Sequence, residues 1–253
     1  MSGIDIAQNL RDDLAGAFGL LTRLPFGGPG RGAASCWAWG PTGAAVAALA
    51  VGAGAGAMAL GVPVTVAAGL VLAVQAALTG ALHEDGLADT CDGLLGGRTP
   101  ERRMEIMRDS RIGAFGALGL MLSVLIRWAA LVAVLAVPMG WAMVIGVSAL
   151  SRGAMAGVMA ALPPARPDGL SQHQGRPTFM QAGAALAVAG VIALPALGLA
   201  LLPVVALGLV AVTALAIWAR ARIGGQTGDI LGATQQVAEI AALIVLSVLV
   251  GQG

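Results

Sequence analysis

The sequence predicts an all-α, polytopic integral membrane bundle, and three observations carry that expectation. Hydrophobic residues make up 58% of the 253 positions and charged residues 11%, where a soluble domain carries about 25% charged residues. The apolar residues fall in runs of about the 20 residues a helix needs to cross hydrocarbon. The charges gather in alternate connections and leave the intervening turns uncharged. Mean hydropathy is +0.87.

Taken in order, residues 10–22 are too short and too charged to span, and read as an amphipathic helix lying in the membrane interface. Asp5, Arg11, Asp12 and Asp13 replace the basic, then continuously apolar, start of a cleavable signal peptide, so none is expected. About seven spans follow, near 40–60, 63–82, 113–136, 140–161, 179–199, 201–219 and 234–250. The turns at Gly61–Pro63, Pro138–Gly140 and Ala200–Pro203 carry no charge. The whole chain, 1–253, then forms one membrane-embedded domain whose polar loops are 83–112, 162–178 and 220–233.

Charge sets the expected orientation. Every basic side chain is arginine, and alternating seven spans puts all but Arg127 and Arg152 on one side. The positive-inside rule makes that side cytoplasmic, with the N-terminus inside and the C-terminus outside. A net charge of +1 points to no nucleic-acid partner. Cys36 and Cys91 cannot define a disulfide framework and read as free thiols. Small-residue helix faces suit internal packing and association into a homo-oligomer equally.

Seven of the 13 acids lie between Glu84 and Asp109, a clustering that insertion does not require, because acids contribute little to orientation. In His83-Glu-Asp-Gly-Leu-Ala-Asp-Thr-Cys-Asp-Gly93, a helix would place Asp85, Asp89 and Asp92 on one stripe, within about 40° of one another. Three carboxylates there repel unless protons or a cation sit between them. Oxygen ligands of this kind suit Mg²⁺ shared with substrate phosphates; the plainer alternative is a solvated acidic helix end. His83 reads as a general base or donor, or as an interfacial histidine.

Downstream, Thr99 and Pro100 form an N-cap and N1 pair for a short helix. Arg108 and Arg111 beyond it could reach phosphate oxygens, with Glu105 or Asp109 orienting them, unless this is a salt-bridged surface helix. Gly224-Gly-Gln-Thr-Gly-Asp229 can present backbone N–H groups to a phosphate, and Asp229 with Gln236 extends a polar stripe into the last span. Arg152, within a span, costs roughly 2.5–3.5 kcal/mol to insert and is expected to face the bundle interior or to snorkel outward; Arg127 is treated alike. Residues 166–178, with His173 and Arg176, are expected to form a flexible substrate loop.

Together these blocks resemble one family. Leu21-Thr-Arg-Leu-Pro25, the His83–Gly93 block, Glu105-Ile-Met-Arg-Asp-Ser-Arg111 with Gly113, Ser151-Arg152 and Gly224-Gly-Gln-Thr-Gly-Asp-Ile-Leu-Gly232 stand in the order found in the cobalamin synthase family. Glu84 departs from that pattern, and 162–178 matches no block. The resemblance implies a bacterial inner-membrane transferase facing the cytoplasm. A ribose hydroxyl of α-ribazole or its 5′-phosphate would attack the pyrophosphate of adenosylcobinamide-GDP and release GMP. It implies corrinoid and nucleotide-type substrates and Mg²⁺ held by Asp85, Asp89, Asp92 and Asp229. Catalytic roles fall to His83, Asp85, Asp89 and Asp92, and substrate contacts to Arg23, Arg108, Arg111, Arg152, Gln226 and Thr227.

Two rivals remain at this level. A CDP-alcohol phosphotransferase would carry Arg where Asp89 stands. A transporter would place its polar residues near the bilayer midplane and repeat its broken helices.

Overall fold

The computed structural model describes residues 3–28 and 30–251. Eleven α-helices account for most of them: α1 (Gly3–Leu21), α2 (Trp39–Ala59), α3 (Val64–Thr79), α4 (Leu82–Gly96), α5 (Pro100–Ile106), α6 (Ala114–Leu135), α7 (Gly140–Ala161), α8 (Leu170–Gln174), α9 (Phe179–Leu197), α10 (Leu201–Ile223) and α11 (Gly228–Val250). Short 3₁₀ turns precede α2 and join α9 to α10. Among the described residues the nearest thing to a sheet is a single parallel bridge between Pro164 and Gln226.

Among the described residues, five helical stretches are long and apolar enough to cross a membrane, six if the bent α3–α4 pair counts as one span. One of the five, Phe179–Ile223, is 45 residues long and folds back on itself. Its ends, Ala182 and Ala185 with Ala219 and Ile223, share one apolar cluster, while Leu197 and Val204 near its middle share another. It therefore supplies two arms, α9 and α10, and the expectation of about seven crossings is met approximately.

The two clusters also sort the connections. One holds residues of α1, the C-terminal half of α7, the start of α9, the end of α10 and the start of α11. The other holds the opposite halves of α2, α6, α7, α9 and α11. The charged segments before α2, between α3 and α6, after α7 and after α10 thus meet at one end of the bundle. The uncharged turns meet at the other.

Three expected boundaries need correction. The acidic connection 83–112 is not a loop. Gly80 (φ 63°) and Ala81 (φ 56°) turn the chain through the left-handed region, and α4 leaves α3 at 89°, so this acid-rich helix lies across the charged end, outside the apolar crossing arms. The connection 220–233 shrinks to residues 224–227, because α10 continues to Ile223 and α11 starts at Gly228. Thr227 caps α11, accepting from Ile230 N at 3.3 Å, and Asp229 in the first turn complements the positive end of the helix dipole. The interfacial helix expected at 10–22 begins earlier, at Gly3.

Inside that end the chain is anchored by buried polar contacts. Asp13 is inaccessible and accepts from Arg31 Nε, Ser35 Oγ and Trp37 Nε1, each at 2.8 Å, joining α1 to the segment that enters α2. Thr99 caps α5 as expected, accepting from Arg102 N at 3.3 Å. Buried Arg103 donates to Arg222 O at 3.1 Å, a cation at the C-terminal end of α10. Cys36 and Cys91 are free thiols.

Candidate active site

α4 and α11 cross where each carries a glycine. A Cβ on Gly86 would sit 2.9 Å from Asp229 O and 3.1 Å from the Gly232 Cα, so the backbones approach as only glycine permits. This contact brings Asp85 and Asp89 of α4 to Asp229 at the start of α11. Burial, then the charges of Asp85, Asp229 and Asp92, push the Asp89 carboxyl up to about 7. Asp85 is exposed and Asp89 half-buried.

A strap from the 162–178 segment lies over these acids. Gln226 N donates to Pro163 O at 2.9 Å, and Ala165 N donates to Gln226 O at 2.8 Å. Gly225 makes that close approach feasible, because a side chain there would collide with Pro163 O. Pinned this way, Arg166 reaches Asp229 Oδ2 at 3.5 Å and Asp168 Oδ1 at 3.8 Å. Arg108, just past α5, donates from one guanidinium nitrogen to both carboxylate oxygens of Asp168, at 2.9 and 3.1 Å. Thr227 donates to Asp229 Oδ2 at 3.0 Å and fixes that carboxylate. The segment expected to be a flexible loop is thus tied down at three points, the third being Arg176, whose NH2 donates to Ala160 O at 2.7 Å and caps α7.

Asp92 does not join Asp85 and Asp89. Its carboxylate turns to α6, accepting from Gly113 N at 2.7 Å and Gly116 N at 2.9 Å. The helical stripe is real, but the last position faces a helix N-terminus, whose free N–H groups occupy the carboxylate. Expected as a metal ligand, Asp92 is placed by these two hydrogen bonds where it holds α6. Arg111 is exposed and paired with Asp109 at 2.6 Å, and Arg23 lies exposed over Gly80 with its backbone N donating to Leu78 O at 2.7 Å.

His83 and Arg152 are not brought to the carboxylates either. Both are fully buried beside a polar cavity of about 10 Å³ that Glu84, Arg127 and Glu239 also line. There Arg127 pairs with Glu84 at 3.2 Å and Glu239 at 3.4 Å. Gln235 donates to Glu239 Oε2 at 2.7 Å, and Gln236 donates to Glu84 Oε1 at 3.1 Å. Arg152 donates to Ser148 Oγ at 2.6 Å. Sequence reasoning missed Glu239, Gln235 and Arg166. Glu239 had a legible signal, an acid in mid-span that must find a cation; Arg166 had none.

No group of three acidic, histidine or cysteine side chains among the described residues could hold a metal ion. Asp85 and Asp89, with Asp229 nearby, thus form no ready three-ligand site, but they offer carboxylates that a cation shared with substrate phosphates could use. Neither the Asp85 nor the Asp89 side chain has a hydrogen-bond or ion-pair partner among the described residues, and burial first, then the neighbouring carboxylates, raises Asp89. Mg²⁺ is commonly held by one or two carboxylates and completed by substrate phosphates, and this donor set fits that pattern.

The cobalamin-5-phosphate synthase family model matches residues 13–247. A protein of Bradyrhizobium diazoefficiens named adenosylcobinamide-GDP ribazoletransferase is 45% identical over 249 residues, 96% of each chain. One of the same name from Mesorhizobium japonicum is 42% identical over 245 residues, 95% of each chain. Another, from Rhizobium etli, is 42% identical over 190 residues, 72% of this chain and 73% of its own. No solved structure matches. A matched segment that takes in α4, the strap and the Gln226–Asp229 turn, with relatives this similar end to end, makes the chain a member of the cobalamin-5-phosphate synthase family.

Proposed function

We propose that the chain is an adenosylcobinamide-GDP ribazoletransferase of the bacterial inner membrane, with its charged end in the cytoplasm. It joins adenosylcobinamide-GDP to α-ribazole or its 5′-phosphate and releases GMP. The observation that carries the reading is the meeting of Asp85, Asp89 and Asp229 beneath Arg166 and Arg108. Acids and arginines in one partly open place form a site for a pyrophosphate and its counter-ion. The arginines of this end support its cytoplasmic placement.

Asp85, Asp89 and Asp229 would hold Mg²⁺, which when bound supplies counter-charge to the pyrophosphate oxygens. Arg166 and Arg108 both lean on the single, exposed Asp168, and the phosphates of the substrate take its place between them. Two guanidinium groups so placed bind phosphate oxygens in a defined orientation and meet the charge that grows on the departing GMP. Thr227 keeps the Asp229 carboxylate turned to the site. Gln226 keeps the strap, and with it Arg166, at hydrogen-bonding distance. Phosphoryl transfer rests mainly on positioning and charge stabilisation, and these residues supply both.

The test is GMP release by purified protein given adenosylcobinamide-GDP and either acceptor, with and without Mg²⁺. Formation of GMP together with the joined corrinoid supports the reading. A folded protein that releases no GMP with either acceptor overturns it. Arg166→Ala, which removes a phosphate-binding group, is expected to lower turnover by about 10²–10³-fold.

A further inference from the structure

A cavity of about 540 Å³ lies away from the carboxylates, between the arms of the α9–α10 hairpin. α9 packs on α7 and α2, and α10 packs on α11, so the hairpin is splayed and leaves a groove. Leu150 of α7, Leu186 of α9, Val212 and Ile217 of α10 and Ala242 of α11 make its wall. Ser151 and Thr213 are its uncharged polar side chains, and Arg220 is its one charge. Arg220 is exposed, at the charged end of the bundle, and has no ion pair among the described residues.

Along α10 the groove extends from Val204 to Arg220, about 24 Å at 1.5 Å per residue. That exceeds the ~15 Å depth of one leaflet's hydrocarbon, half of the ~30 Å core. An apolar slot at this depth is filled by hydrocarbon, since water gains nothing there. A single extended chain fits, and the lone cation at one end selects a negatively charged head.

We propose that this groove is a binding site for one anionic phospholipid, with an acyl chain lying along α10 and the phosphate on Arg220. The site is separate from the transferase centre and ties the hairpin to the rest of the bundle by filling the space between its arms.

The experiment is native mass spectrometry of the full chain after exchange into nanodiscs of phosphatidylcholine with or without phosphatidylglycerol. Three forms are compared: wild type, Gly208→Leu and Arg220→Gln. Gly208 lines the groove, and a Cβ there meets nothing within 4 Å, so leucine fills the slot without disturbing the fold. Wild type should retain one lipid, with phosphatidylglycerol preferred roughly fivefold, as expected for one arginine near an anionic head. Arg220→Gln should keep the lipid and lose the preference, and Gly208→Leu should lose the lipid while circular dichroism stays unchanged. Retention by Gly208→Leu equal to wild type would overturn the proposal. So would a wild-type protein that carries no lipid, or a cross-linked dimer whose contact runs through Gly208.

Discussion

Asp89 sits half-buried between Asp85 and Asp229, and its carboxyl titrates near neutrality because burial and like charges both disfavour the anion. The sign of its effect on stability follows from linkage. Between the unfolded value of 3.8 and about 7, the folded state binds more protons than the unfolded state, so stability falls as pH rises through that window. In chelator-treated protein, the thermal midpoint of Asp89→Asn should therefore decline less steeply than wild type between pH 4 and about 7, the remainder coming from Asp229, which burial also raises. An identical decline in both would refute the assignment. Asp92 predicts a different pattern. Replacing it by alanine removes acceptors for two N–H groups at the start of α6, which should cost about 1–2 kcal/mol with little change in Mg²⁺ dependence. Denaturation and Mg²⁺ titration of the two variants separate the roles. The sequence told which face of α4 these acids share; it could not tell that the N-terminus of another helix lies opposite the last of them. Helical spacing fixes an angle about one axis, whereas a neighbour's identity is a property of the packing.

Between elements, two devices hold α4 against its partners, and they differ in how far they could be read. The apolar arms were legible to within a few residues, except that α10 and α11 run four and six residues further into the charged end, because hydrocarbon imposes a length and a composition on each crossing but not on the polar turns beyond it. The tilt of α4 was not, since it depends on Ala81 adopting a left-handed conformation that alanine seldom takes. Nor was the Gly86–Gly232 crossing, as nothing local marks two glycines 146 positions apart as neighbours. Gly232→Val should push α4 off α11 and part Asp85 and Asp89 from Asp229. Turnover should then fall by about 10²-fold, as for a ~1 Å misplacement of reacting groups, with helical content retained. The second device is the Arg127 clamp, which ties α6 to α4 through Glu84 and to α11 through Glu239. Arg127→Met leaves a buried carboxylate, Glu239, and a partly buried one, Glu84, unmatched and should destabilise by about 3–5 kcal/mol. Adding Glu84→Gln and Glu239→Gln should recover most of that loss. Unfolding in mixed micelles measures both steps, and a triple variant no more stable than Arg127→Met would show that the arginine acts by shape instead.

For the molecule as a whole, the decisive feature is that the charged connections meet at one end of the bundle while uncharged turns occupy the other. The alternation of the spans anticipated that polarity, and the two apolar clusters reproduce it. Which end faces the cytoplasm is a question of insertion energetics. All arginines outside the crossing arms lie at the charged end, and moving them across the bilayer is what the positive-inside bias opposes. Single cysteines can report the outcome in a Cys36→Ala, Cys91→Ser background. Leu60, in the turn from α2 to α3, is 87% exposed, and Leu95, near the end of α4, is 50% exposed. A membrane-impermeant maleimide should label Leu60→Cys in intact spheroplasts and spare Leu95→Cys, and inverted vesicles should reverse the pattern. The opposite labelling would place the carboxylates outside the cell, where a cytoplasmic nucleotide-linked substrate could not reach them, and would remove the proposed reaction along with the proposed orientation. Labelling of both positions from one side would instead break the link between α2 and α3 as antiparallel crossing arms, and with it the registry that sets α4 across the charged end.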